Sequence, residues 1–309
     1  LFHSLTGQCT VSVIIPAKNE AANIGACLDA VCRQETPFPL EIIVIDSGSS
    51  DGTTGIVRRY PAIKLVEIQP EAFGHGKTRN LGAEMSGGTF IVFLNADAVP
   101  KDNRWLTHLI DPFITDKNKE VAGVFSRHIP GDGCHLYMVR DIRASMPAAP
   151  EPIVRSRTGA LDFMIFSTVS CALRREVWLK YPFEPNIPIA EDQKWARLML
   201  EKGFKIVYQP ASMVYHSHNY TPHQLYEIKF KVAGAAGKFK NRLSAMVVGF
   251  VLITGGIITK IAGDLGFILF KYPEKIPLSR KLKEILIAFK ARTAGFLGTY
   301  RGWLEKKKT

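Results

Sequence analysis

Apolar residues in the first hundred positions come in short dense runs. Residues 11–16, 41–46, 63–68 and 89–95 are each rich in Val, Ile, Leu or Phe and bounded by polar, Gly or Pro residues. Such runs predict strands, the densest of them buried on both faces. Pro16 is expected to stop the first one. Between them, Ala21, Ile24, Leu28 and Val31 recur at helical spacing across residues 20–34. Short helices are expected over residues 52–60 and 77–86. Strand and helix alternate, so a mostly parallel sheet with helices on both faces is predicted.

The pattern changes after residue 115. Strand character returns at 121–127 and 163–173, a helix is expected over 192–203, and strands over 205–209 and 213–216. Residues 128–160 are rich in Pro, Gly and Arg and read as a long functional or mobile loop. Residues 243–259 form an uncharged run of 17, somewhat short for a transmembrane span. A re-entrant, interfacial or buried helix is the better expectation. Over 280–304, Leu282, Ile285, Leu286, Phe289, Phe296, Tyr300 and Trp303 fall roughly on one face, with Lys and Arg over much of the rest. That is the pattern of a basic amphipathic helix on a membrane surface, or of a helix packed on its own domain with a solvated basic face.

Charge favours the membrane. The chain has 309 residues and a net charge of +12. Residues 1–220 hold 23 Lys+Arg against 23 Asp+Glu, whereas 221–309 hold 17 against 5. The excess lies wholly in the tail and suits an anionic surface. No nucleic-acid reading motif accompanies it, so no nucleic-acid partner is expected. The length and an apolar content of 46% suit one α/β domain plus an appendage. The boundary is expected near 220, with the first part dividing into halves at 10–115 and 116–220. Five scattered cysteines without C-x-x-C spacing fit reduced thiols. The start has no basic-then-apolar leader, so no signal peptide is expected.

Two apolar runs end in acids, Asp46 and Asp97. Open α/β sheets bind ligands at the C-terminal edge of their strands. Two carboxylates there suit a nucleotide and a metal-bound diphosphate. Asp46 can accept hydrogen bonds from a nucleoside, or form a turn in its Ser/Gly/Asp loop. Asp51 is expected to cap the following helix. Asp97 offers a hard oxygen ligand for Mg²⁺ or Mn²⁺, or is simply a strand-end turn acid.

The segments Val13-Ile14-Ile15-Pro16-Ala17-Lys18-Asn19-Glu20, Asp46-Ser47-Gly48-Ser49-Ser50-Asp51-Gly52-Thr53, Arg79-Asn80-Leu81-Gly82, Phe93-Leu94-Asn95-Ala96-Asp97 and Glu191-Asp192 occur in the order typical of family 2 glycosyltransferases. Over residues 10–220 the chain resembles that family. Residues 73–80 and 216–221 resemble its bacterial rhamnosyltransferases in particular. The resemblance implies a GT-A fold, a nucleotide-sugar donor (dTDP- or UDP-linked), a divalent metal and inversion at the anomeric carbon. It implies donor contacts from Pro16, Ala17, Asn19, Glu20, Asp46, Ser47, Gly76, Lys77, Arg79, Asn95, Ala96 and Asp97. Asn95 stands where the family usually has the first acid of Asp-x-Asp, which leaves Asp97 as the ligand.

Inversion requires one general base, and Asp192 is the expected one, with Glu191 as its alternative. Both acids also suit a helix N-terminus on dipole grounds alone. Lys77 and Arg79 follow a Gly-rich loop suited to phosphate, or are merely solvated. His216 is a candidate second metal ligand, or a plain hydrogen-bonder, and His218 a weaker one. Trp195 is either a sugar platform or core. The expected activity is transfer of a hexose, L-rhamnose from dTDP-rhamnose, to a lipid-linked saccharide. The enzyme would sit peripherally on the cytoplasmic face of the membrane. Transfer to polyprenyl phosphate and a non-catalytic scaffold are the alternatives.

Overall fold

The computed structural model describes residues 10–156, 166–236 and 242–305. They form two compact units, one from residues 1–129 and 145–216, the other from 130–144 and 217–309. The second unit therefore takes in part of the stretch read as a loop, and divides the chain differently from a single cut at 220.

The first unit is built on a nine-stranded sheet. Its strands are β1 (Val11–Ala17), β2 (Leu40–Asp46), β3 (Ile63–Glu67), β4 (Phe90–Leu94), β5 (Val99–Pro100), β6 (Val121–Ile129), β7 (Ile153–Arg155), β8 (Ser170–Arg174) and β9 (Lys205–Tyr215). The order is β3-β2-β1-β4-β8-β6-β9-β5, with β7 paired to β9. The first four strands are mutually parallel, and β8 runs antiparallel to both β4 and β6. This mixed, mostly parallel sheet flanked by helices is a GT-A-like fold. Pro16 does not stop β1. It pairs opposite Ile45, and the strand runs on to Ala17.

Alternate residues of each strand feed opposite faces. Val13, Ile15, Val44, Val92 and Leu94 pack with α1 (Ile24–Cys32) and with Trp105, Leu109 and Phe113 of α4 (Trp105–Thr115). Ile14, Ile43, Ile45, Ile91 and Phe93 pack on the other side. That side carries α3 (His75–Glu84), α6 (Arg175–Lys180) and α7 (Glu191–Glu201), and α2 (Thr53–Val57) follows β2. Gly82 sets how closely α3 lies on the sheet. A Cβ there would meet the Ile14 side chain, and Ile45 Cδ1 at 2.9 Å. Gly82→Ala is expected to cost about 1–3 kcal/mol by overpacking, read as a lower urea midpoint with an unchanged m-value.

In the second unit, α5 (Leu136–Ser145) supplies Leu136, Tyr137 and Val139 to a core shared with Leu225, Ile268, Ala288 and Ala291. The helices α8 (Pro222–Ala236), α9 (Arg242–Gly266) and α10 (Leu278–Leu304) complete it. Along α10, Ala288, Ala291, Gly295, Gly298 and Gly302 form a small, buried stripe. Gly298 and Gly302 rest on the carbonyls of Tyr226 and Phe230, so α8 and α10 approach closely.

Candidate functional site

The ends of β1, β2 and β4 meet at one edge of the sheet. Ala17 pairs with Asp46 in register, and Ser47 N–H donates to Ala17 O at 2.9 Å. Asp46 is 1% exposed, with its carboxylate turned into the loop behind it. Oδ1 accepts from the N–H groups of Gly48 (3.0 Å) and Ser49 (2.8 Å), and Oδ2 accepts from Ser49 Oγ. This is the Asx-turn reading, and any nucleoside contact would use its remaining lone pairs. Ser47 Oγ is buried without a hydrogen-bond partner among the described residues.

Asn19 adopts a left-handed φ of 54°. Its N–H donates to Ser49 Oγ (2.8 Å) and its Oδ1 accepts from Ser50 N–H (2.9 Å). The loops after β1 and β2 are thereby stitched together. Asp51 adds to this by accepting from Ala21 N–H (2.9 Å) as well as from Thr53 N–H and Oγ. These bonds, the one from Thr53 Oγ first, hold its carboxyl below the usual range. The N-cap position itself belongs to Gly52 at φ 95°, so Asp51 is a loop tie and not the cap expected of it.

The turn after β4 carries Asn95, Ala96 and Asp97. Ala96 is buried. The Asp97 side chain is half-buried, its Oδ1 3.6 Å from His216 Nε2. His216 follows β9, its N–H donating to Ile129 O at 3.0 Å. Behind it the His128 ring packs edge-on, 5.3 Å between centroids. Burial, reinforced by His216, pushes the His128 pKa down to about 3, so this ring is neutral. Burial also raises the Glu20 carboxyl, with Asp97 and Asp51 adding to the effect. A carboxylate and an imidazole converging at this edge form an acceptable donor set for Mn²⁺.

Arg79 is the hub of the site. Its NH1 donates to Glu191 Oε1 at 2.9 Å and to His75 O at 3.2 Å, and its NH2 donates to Asn95 Oδ1 at 3.1 Å. The two charged side chains are 7% and 5% exposed. The guanidinium therefore ties the β4 turn to the head of α7 and is not free for phosphate. Glu191 is equally committed, to a cation, whereas the bonds to Asp192 come from backbone N–H groups. Asp192 Oδ1 accepts from Gln193 N–H (2.7 Å) and Oδ2 from Thr168 N–H (3.3 Å). Burial first, then Glu191, raises its carboxyl above the ordinary range.

The other expected residues separate by environment. Pro16 is half-buried and Ala17 buried at the end of β1. Lys77 is exposed. Gly76 serves packing, since a Cβ would meet Glu184 O at 2.7 Å. Trp195 is core: 2% exposed, in contact with Phe166 and Phe183, and donating to Tyr181 O at 2.7 Å. His218 belongs to the second unit. Local sequence does not single out His128 or Thr168. His128 lay in a stretch read as loop, although apolar residues continue to Ile129 and signal a longer β6.

Residues 12–178 match the model of the glycosyl transferase family 2 domain. The chain belongs to that family. It is therefore a glycosyltransferase. It is 29% identical over 294 residues to the O-antigen chain rhamnosyltransferase RfbN of Salmonella typhimurium, covering 87% of this chain and 92% of that one. Identity to the O-antigen chain rhamnosyltransferase WbaN of Salmonella anatum is also 29%, over 80% and 84% of the two chains. Among solved structures, the mannosyltransferase PcManGT from Pyrobaculum calidifontis, in complex with GDP-Man and Mn²⁺, superposes with a TM-score of 0.58 at 19% identity, over 95% and 85% of the two chains. Glucosyl-3-phosphoglycerate synthase from Mycobacterium tuberculosis, in complex with UDP, gives 0.52 at 21% identity, over 74% and 79%. At those identities the structures speak for the glycosyltransferase fold alone.

Proposed function

We propose that this glycosyltransferase moves L-rhamnose from dTDP-rhamnose to a lipid-linked saccharide, with inversion, at the cytoplasmic face of the membrane. The observation that carries the catalytic part is the division of labour in the acid pair. Glu191 is paired with the Arg79 guanidinium, while Asp192 is desolvated, accepts only from backbone N–H groups among the described residues, and holds its proton more readily than an ordinary carboxyl. The acceptor hydroxyl oxygen bonds to the anomeric carbon as the bond from that carbon to the diphosphate oxygen breaks. The hydroxyl proton passes to Asp192, and the nucleoside diphosphate departs. The loops after β1 and β2 hold the nucleoside end, with Asn19, Asp46 and Ser47 closest to the sheet edge.

A divalent cation held by Asp97 and His216 would neutralise charge on the diphosphate as a Lewis acid. The rhamnosyl donor and a glycan-chain acceptor are supported by the near full-length similarity to O-antigen chain rhamnosyltransferases.

A panel of nucleotide sugars, each offered with a lipid-linked saccharide or with bare polyprenyl phosphate, tests the assignment. Turnover is expected with dTDP-rhamnose and the lipid-linked sugar. Transfer to bare lipid phosphate would replace the acceptor, and activity with a different donor would replace the sugar. Asp97→Ala is expected to lower transfer by roughly a hundredfold or more. It should also abolish any thermal shift produced by Mn²⁺ with nucleoside diphosphate. An unchanged shift would move the metal elsewhere.

A further inference from the structure

One helical stretch, Gly249–Lys271, is long and apolar enough to cross a bilayer by length and composition, with a mean hydropathy of 1.6. Its packing argues against crossing. A Cβ at Gly249 would meet Trp303 (3.3 Å) and Tyr300 (3.6 Å), and one at Gly256 would meet Phe296 (2.7 Å), so both glycines face α10. Lower down, Asp264 pairs with Arg292 at 2.7 Å, and Leu269 O accepts from Lys281 Nζ at 2.9 Å. The α9 helix therefore runs antiparallel to α10, against its C-terminal half, and the turn at Phe267–Lys271 continues the contact to Lys281. Asp264 also pairs with Arg140 (2.8 Å), and Asp141 with Arg292 (2.5 Å) and Lys260 (3.0 Å). This network fastens the far end of α9 to α5. Taking α9 through hydrocarbon would draw the ionised length of α10 in with it, which is strongly disfavoured.

Both helices nevertheless show apolar side chains to the outside. On α9 they are Met246, Val247, Phe250, Val251 and Ile258, and on α10 Leu278, Leu282, Leu286 and Phe289. Phe270, between the two, is 84% exposed. At 100° per residue, the exposed sector of α10 sits beside the residues that meet α9, and Lys283 and Lys290 border its far side. A basic flank on an apolar face suits an amphipathic helix lying in a headgroup layer. The +12 of residues 221–309 matches an anionic lipid surface and would repel a second copy of the chain.

We infer that α9 and α10 lie side by side in the plane of an anionic bilayer, as a monotopic docking face that does not span it. This deepens the membrane part of the proposed function and is independent of its chemistry. The full chain should float with vesicles of phosphatidylglycerol and phosphatidylcholine, and far less with phosphatidylcholine alone. Lys283→Gln with Lys290→Gln is expected to weaken that binding roughly thirtyfold. Leu282→Ser with Leu286→Ser should abolish flotation while leaving the denaturation curve in place.

Nitroxides at Val247→Cys, Val251→Cys and Ile258→Cys, in a Cys9→Ser/Cys32→Ser background, distinguish in-plane from spanning. The first and last positions are roughly 16 Å apart along the axis. Equal shallow depths are expected at all three. A steady descent towards the bilayer centre at Ile258→Cys would overturn the in-plane arrangement alone. No flotation with either vesicle would overturn the membrane reading as a whole. Sugar transfer in detergent reports on the catalytic proposal in either case.

Discussion

Asp192→Asn is expected to lower sugar transfer by roughly 10²–10⁴-fold, the range of a lost general base, while donor affinity stays close to that of the unaltered enzyme. An amide cannot take the acceptor proton. The cost in stability is small for a structural reason. The carboxylate accepts N–H groups from Gln193 and Thr168, and one amide oxygen serves only one of them well. Against that loss, the variant no longer holds a desolvated charge. Asp192 has a raised folded pKa, so its contribution to stability is fully present below the unfolded carboxylate value and lost as pH rises through the folded one. At neutral pH its ionisation costs stability, and Asn removes that cost. The variant-minus-parent stability difference should thus move in the variant's favour from pH 4 to pH 8. Transfer by the parent requires the ionised form, so its acid limb should fall above the ordinary carboxylate range. Near-parent turnover in Asp192→Asn would send the base role elsewhere.

The strand-end acids could be read in the sequence because a strand buried on both faces is an apolar run, and its first polar residue marks the sheet edge. Residues 41–46 and 89–95 show this, and β2 and β4 lie within a residue of expectation. Where the signal was local and weak, elements were missed. The two-residue β5 leaves no pattern, and α4 carries an internal Pro112 that reads as a breaker. The Pro and Gly content of residues 128–160 predicts a loop, yet Leu136, Tyr137 and Val139 build α5. The expected strands at 205–209 and 213–216 are one strand, β9, whose pairing with β6 shifts register between Gln209 and Met213, around Pro210. In the site, positions along the chain were legible and partners were not. Nothing in local sequence joins Arg79 to an acid 112 residues away, and that pairing decides which member of Glu191-Asp192 can act as base.

Arg79→Met is the second large effect, and it falls on stability and transfer together. Its guanidinium holds Glu191, Asn95 and the His75 carbonyl in one buried knot. Removing it leaves the Glu191 carboxyl without its cation at 5% side-chain exposure. Breaking one side of a buried pair costs about 3–5 kcal/mol, and in a unit of this size that lowers Tm by roughly 10 °C or more. Arg79→Lys keeps the charge but not the fork, so it should recover part of the stability and little of the transfer. The informative partner is Arg79→Met combined with Glu191→Leu. With both charges gone, most of the lost stability should return, because a paired charge and an apolar pair of similar volume are close in free energy. Transfer should stay low, since Asn95 no longer has an anchor and the head of α7 no longer has a tie to the β4 turn. A double variant that regained both would reduce Arg79 to a fold-stabilising residue. One that regained neither would mean that α3 needs the arginine for more than this pair.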